Sequence, residues 1–231
     1  MSESGFLHRY FLENASKQSD KWIHYLSVYE RHFSRFRGKQ PTILEIGVQG
    51  GGSLQMWRQY FGEGCKIIGL DIDPVCKNHE STDVEVFIGS QDDPNVINSI
   101  FEKYPNIDIV IDDGSHISKH MISSFELIYN KVNPNGVYLV EDTHCCYMPD
   151  FGSYFKYEKS FIEFAKNKVD ELNAYWYDNA KHINEFTRST NYIAMYDSIV
   201  VFEKKPQGTR KRLITLPMGQ TQTHTPPENN V

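Results

Sequence analysis

Two acidic pairs, each followed closely by a histidine, are the residues of this chain best suited to chemistry. Asp112-Asp113 precedes His116, and Glu141-Asp142 precedes His144. An imidazole titrates near neutral pH and can take a proton from a reacting group. Carboxylates held close together repel, and one of them protonates unless a cation joins them. Oxygen ligands with room for water suit Mg²⁺. The short apolar runs Ile107 to Ile111 and Val137 to Val140 lead into the two pairs and read as strands. Ligands of open α/β sheets bind beyond the carboxyl ends of strands. If the two strands are neighbours, up to four carboxylates converge. His116 lies three residues past Asp113, so a loop there can aim its ring into the same space. His144 is placed alike, and can contact a substrate or support a metal. His120, on the next helix, reads as ordinary.

These groups need a frame, and the stretch Thr42 to Gly52, TILEIGVQGGG, supplies its centre. Thr42 to Ile46 reads as a buried strand carrying Glu45. Gly47, Gly50, Gly51 and Gly52 allow a sharp turn and a close approach to a ligand. Ser53 is expected as the N-cap of a helix that places Leu54, Trp57 and Phe61 on one face. No G-x-G-x-x-G can be written through these glycines, so the dinucleotide fingerprint is absent. Lys66 to Asp71 is a second strand ending in an acid about 20 residues past the turn, where such folds hold a ribose. Val84 to Ile88 is a third strand, closed by Gly89-Ser90-Gln91-Asp92. Helices are expected over 95–104, 119–129 and 160–172, and a closing hairpin over 191–202 with its turn at Tyr196-Asp197. The fold class is α/β, a Rossmann-like seven-stranded sheet, mostly parallel with one antiparallel edge strand.

Three segments follow. Residues 1–37 carry two amphipathic helices, separated by a polar turn at Ser19-Asp20-Lys21, that pack on the main domain. Residues 38–205 form that domain, and 206–231 is a polar, proline-bearing tail expected to be flexible. A formal net charge of -6 disfavours a nucleic-acid surface, and no apolar run reaches membrane-spanning length. The N-terminus shows no signal-peptide pattern, and four cysteines form no disulfide or zinc spacing, so a cytoplasmic location is expected.

LEIGVQGGGS, GLDID, IDDGSH and VEDTHCCY occur in this order. Together they resemble the metal-dependent S-adenosylmethionine (SAM) O-methyltransferases of macrolide sugar tailoring, to which the cephalosporin hydroxylase family is related. SDKWIHYLSVYERHF upstream and YDSIVVFEKK downstream are similar to the same family. The resemblance implies metal ligands at Asp113, Glu141 and Asp142, and a catalytic base at His116, with His144 beside it. It implies SAM contacts along the first turn at Glu45, Gly47 and Ser53, at Asp71, at Ser90 and Gln91 beside the adenine, and at Asp112 and Asp113. Tyr25 or Tyr29 would close over the cofactor. The implied cofactors are SAM and Mg²⁺, and the implied partner is a small-molecule acceptor, a glycoside or other diol. A homo-oligomer is expected, with no nucleic-acid or membrane partner. Relatives carry Thr-Ser-Tyr-Trp where this chain has Cys145-Cys146-Tyr147-Met148, in a loop that borders the acceptor.

Two other functions compete. Tyr177 and Lys181 have the Tyr-x-x-x-Lys spacing of short-chain NAD(P) reductases, but lie late in the chain and after the wrong glycine turn. A non-catalytic SAM-fold subunit would need none of Asp113, His116, Glu141 and Asp142.

Overall fold

Short β-branched runs alternate with amphipathic stretches along most of the chain, and each becomes the element its period demands. The computed structural model describes residues 5–14, 17–176 and 181–205. The strands are β1 (Thr42–Ile46), β2 (Lys66–Asp71), β3 (Val84–Ile88), β4 (Ile109–Asp112), β5 (Val137–Val140), β6 (Thr190–Met195) and β7 (Val200–Lys204). The helices are α1 (Phe6–Glu13), α2 (Ile23–Phe33), α3 (Gly52–Phe61), α4 (Pro94–Lys103), α5 (Ser118–Ile128), α6 (Phe161–Leu172) and the short α7 (Glu185–Ser189). One sheet runs β3-β2-β1-β4-β5-β7-β6. The expected fold class is the one observed. Strands β3 to β5 in this order are parallel, and β7 runs antiparallel to both β5 and the outermost strand β6. Tyr196 N–H donates to the Ile199 carbonyl at 2.8 Å, closing the expected hairpin without a crossover.

Strand order reverses between β1 and β4, which opens a crevice at their carboxyl ends. Alternation along each strand divides the core into two layers. Ile43, Ile109 and Ile111 face the layer of α1, α2 and α3, where Leu7, Tyr29, Phe33 and Trp57 are buried. Leu44, Ile46 and Val110 face the layer of α4, α5 and α6. The helices of segment 1–37 are therefore part of the core. Tyr29 meets Trp57 edge-to-face at 5.1 Å, an arrangement that adds ~0.5–1.5 kcal/mol to the burial itself. Tail residues 206–231 and Tyr177 lie outside the described residues. Among the described residues, no helix is long and apolar enough to cross a membrane.

Candidate active site

The glycine turn, the end of β2 and the end of β4 meet at the crevice. Gly47 has φ +92°, and a Cβ there would lie 2.0 Å from the Asp113 carbonyl oxygen. Gly47 N–H donates to Leu70 and Asp113 N–H to Ile46, at 2.8 and 2.9 Å. Only glycine fits this junction, which fixes the start of the Asp113 loop against the turn. The expected helix start shifts by two residues. Gly51, at φ +70°, is the N-cap of α3, and Ser53 lies buried in its first turn.

A cavity of about 500 Å³ opens here. Segment 18–22, the glycine turn, Ser53, Asp71, Tyr25, Asp113, His116, Glu141 and Asp142 line it. Asp71 accepts from Val48 N–H at 2.8 Å, Gln49 N–H at 3.1 Å and Asp73 N–H at 2.9 Å. Burial raises its pKa, but these backbone donors outweigh that and hold it below the usual value. Asp71 therefore braces the turn as well as facing the cavity.

Several expected contacts stand behind the cavity wall. Glu45 is fully buried on the α3 layer, and burial pushes its pKa up to about 7. Asp112 and Asp113 point to different places, because successive side chains alternate. Asp112 accepts from Ser124 Oγ at 2.6 Å, Gln91 Nε2 at 3.0 Å and the Tyr138 hydroxyl at 3.2 Å, and burial raises it to about 6. The Gln91 amide oxygen accepts from Ser115 N–H at 2.8 Å. Gln91 and Asp112 thus hold the Asp113–His116 loop from below. Ser90 Oγ donates to Asp92. Glu45, Ser90, Gln91, Asp112 and His144 are not among the cavity's lining residues. Of the four carboxylates in the two acidic pairs, three reach it: Asp113, Glu141 and Asp142.

Both histidines flank Asp142, which adopts a left-handed conformation at φ +51°. His116 Nε2 lies 3.7 Å from Asp142 Oδ2, and His144 Nδ1 lies 3.8 Å from Oδ1. The His116 ring rests edge-on against Phe151, and His144 against Trp22. The Tyr25 hydroxyl donates to Asp142 Oδ1 at 2.6 Å, so the tyrosine expected over the cofactor holds a carboxylate. Burial, followed by this bond, raises the Tyr25 pKa.

Lys21, in a stretch read as a polar turn, is the site residue that sequence reasoning missed. Its ammonium bonds Asp113 Oδ2 and lies 2.7 Å from Glu141 Oε2, with the side chain 4% exposed. Burial opposes its charge, but Glu141, Asp113 and Glu45 outweigh burial and raise its pKa. Burial and the neighbouring Asp113 push Glu141 above the usual carboxylate range. The partners lie 92 and 120 residues away, so local spacing held no signal. The one hint was the position of Lys21 within SDKWIHYLSVYERHF.

The residues fit a hard divalent cation. Asp113, His116 and Asp142 each offer a ligand atom, all within 4.8 Å of one another. Glu141 Oε1 is buried without a hydrogen-bond partner. The two carboxylates of this set, Asp113 and Asp142, are two of the three expected ligands; Glu141 is not in the set, and His116 stands beside them.

Fold and crevice are those of a class I methyltransferase. The chain resembles the MycE methyltransferase of the mycinamycin biosynthetic pathway, solved in complex with Mg, SAH and mycinamycin VI, with a TM-score of 0.75 and 30% identity. That match covers 88% of this chain and 54% of MycE. No protein-family model matches. A Streptomyces olivaceus 8-demethyl-8-alpha-L-rhamnosyl tetracenomycin-C 2'-O-methyltransferase is 41% identical, over 67% of this chain and 43% of its own length. The Streptomyces fradiae demethylmacrocin O-methyltransferase is 37% identical, over 66% of this chain and 41% of its own. Over the matched region the chain is similar to these sugar O-methyltransferases of natural-product tailoring. It spans under half the length of the curated relatives it matches.

Proposed function

We propose that the chain transfers a methyl group from SAM to a sugar hydroxyl of a small-molecule natural product, with Mg²⁺ as cofactor and His116 as general base. The observation that carries this reading is the convergence of Asp113, His116 and Asp142 within 4.8 Å beside the 500 Å³ cavity. Relatives named for methylation of rhamnosyl and macrolide sugars support the acceptor class.

When bound, SAM supplies an electrophilic methyl and the cation lowers the pKa of an acceptor hydroxyl. Asp113 and Asp142 would hold the cation, with Glu141 next to them. Gly47 and Asp71 would seat the cofactor at the turn. His116 lies where it can take the hydroxyl proton, since its ring faces the cavity and Asp142 stabilises the imidazolium that forms. Fixing the two reactants in one crevice contributes much of the remaining acceleration. His144, away from the cavity lining, supports Asp142 from its other side.

The test is transfer of label from methyl-labelled SAM to a panel of rhamnosides and macrolide glycosides. Transfer that needs Mg²⁺ and stops with EDTA is the expected result. Labelling of a nucleic acid or protein acceptor in preference to every glycoside would contradict the acceptor class.

A further inference from the structure

One short stretch takes hold of every carboxylate that faces the cavity from β4 and β5. Lys21 engages Asp113 and Glu141, and Tyr25 engages Asp142. The backbone just before them lies on the glycine turn. A Cβ at Gly52 would stand 2.2 Å from the Gln18 carbonyl oxygen, and one at Gly50 would stand 3.1 Å from it. Segment 18–25 is therefore a strap across the crevice, tied down by the acids.

We propose that Lys21 is the internal counter-cation of the metal site: its ammonium neutralises Asp113 and Glu141 until a divalent ion binds, and the two cations compete for Asp113. The proposal rests on the metal reading above. Glu45, Asp113 and Glu141 all act electrostatically on Lys21, so three acids, two of them buried, surround one cation. Without an ammonium they would repel one another. Asp113 belongs both to the Lys21 pair and, with Asp142, to the carboxylates that would hold the ion beside His116. An ion held by Asp113 shares that carboxylate with the ammonium, and two cations on one carboxylate repel each other. Ion binding therefore loosens Lys21 from Asp113, and Lys21 lowers the affinity for the ion. A merely structural ion pair would brace the fold without changing metal affinity.

Mn²⁺ binding, read from the free-ion electron paramagnetic resonance signal, separates the two. Lys21→Met should bind Mn²⁺ about tenfold more tightly than the parent, within the usual range of coupling between linked sites. Lys21→Arg, which keeps the charge, should bind like the parent. Metal-free Lys21→Met should unfold at lower urea than the parent, and saturating Mn²⁺ should narrow the gap. If Lys21→Met does not fold, the parent alone still decides. Reductive methylation followed by mass spectrometry should label Lys21 slowly without metal, because its side chain is 4% exposed and paired, and faster with Mg²⁺. Equal Mn²⁺ affinity in parent and Lys21→Met, or labelling of Lys21 unmoved by Mg²⁺ in a parent that binds Mn²⁺, overturns the proposal alone. A parent that binds no Mn²⁺ at millimolar concentration overturns the metal reading, and this proposal with it.

Discussion

Replacing Glu45 by glutamine should stabilise the protein more at alkaline than at acidic pH. Glu45 is fully buried, and neither carboxyl oxygen has a hydrogen-bond partner of good geometry. Burial raises its pKa from 4.5 to about 7, with Lys21 the largest opposing influence. A carboxyl whose pKa is raised on folding keeps its proton longer in the folded state. Its contribution is fully present below the unfolded pKa and is lost as pH rises through the folded one. The loss therefore falls between about pH 4.5 and pH 7. A shift of this size corresponds to ~3 kcal/mol in full, of which ~2–3 kcal/mol is lost between about pH 5 and pH 8. Glutamine mimics the protonated form and loses nothing. Urea unfolding of both proteins at the two pH values, without metal, measures the difference. The stability gained by Glu45→Gln should grow by ~2–3 kcal/mol on the alkaline side. Parallel pH profiles would show that Glu45 is not held above its ordinary range, and would remove it from the charge cluster around Lys21.

Further outcomes follow from the same contacts. Gly47→Ala forces a side chain into φ +92° and against the Asp113 carbonyl. At ~1–3 kcal/mol of strain it should weaken S-adenosylhomocysteine binding by about tenfold or more, measured by calorimetry. Tyr25→Phe removes the donor at 2.6 Å from Asp142 and should cost ~1.5–3 kcal/mol in urea unfolding. No loss would mean that Asp142 finds another partner. Asp71→Asn keeps an oxygen for the turn's N–H groups but removes the charge. It should weaken S-adenosylhomocysteine by about tenfold, and an unchanged dissociation constant would leave Asp71 as a brace alone.

Much of this molecule is legible in its sequence. β2, β3 and β5 begin and end where their apolar runs do, because strands buried on both faces are continuous and bounded by turns. The crevice is legible too, since a glycine turn after the first strand, followed by strands alternating with helices, points to a doubly wound sheet. What escapes is side-chain direction and distant pairing. Asp112 and Asp113 look equivalent as a dipeptide, yet alternation sends Asp112 to Ser124 and Tyr138 and Asp113 to the cavity. Gln91 looks like a ligand contact, and its amide is occupied by Asp112 and Ser115. Lys21 looks like a solvated turn residue, and only the packing of α2 on the face of the sheet brings it to Glu141. The pairing of β7 between β5 and β6 likewise depends on contacts that no local pattern carries.

The division of labour in the cleft is tested most directly by a pH–rate profile of methyl transfer for the parent, His116→Ala and Asp142→Asn, at limiting and saturating Mg²⁺. His116→Ala should lose ~10²–10⁴-fold in turnover, regain part of it as pH rises because solvent base substitutes, and show an unchanged Mg²⁺ requirement. Asp142→Asn should be restored by excess Mg²⁺ and not by pH. A His116→Ala enzyme that turns over like the parent, or a parent fully active in chelator, would contradict the account.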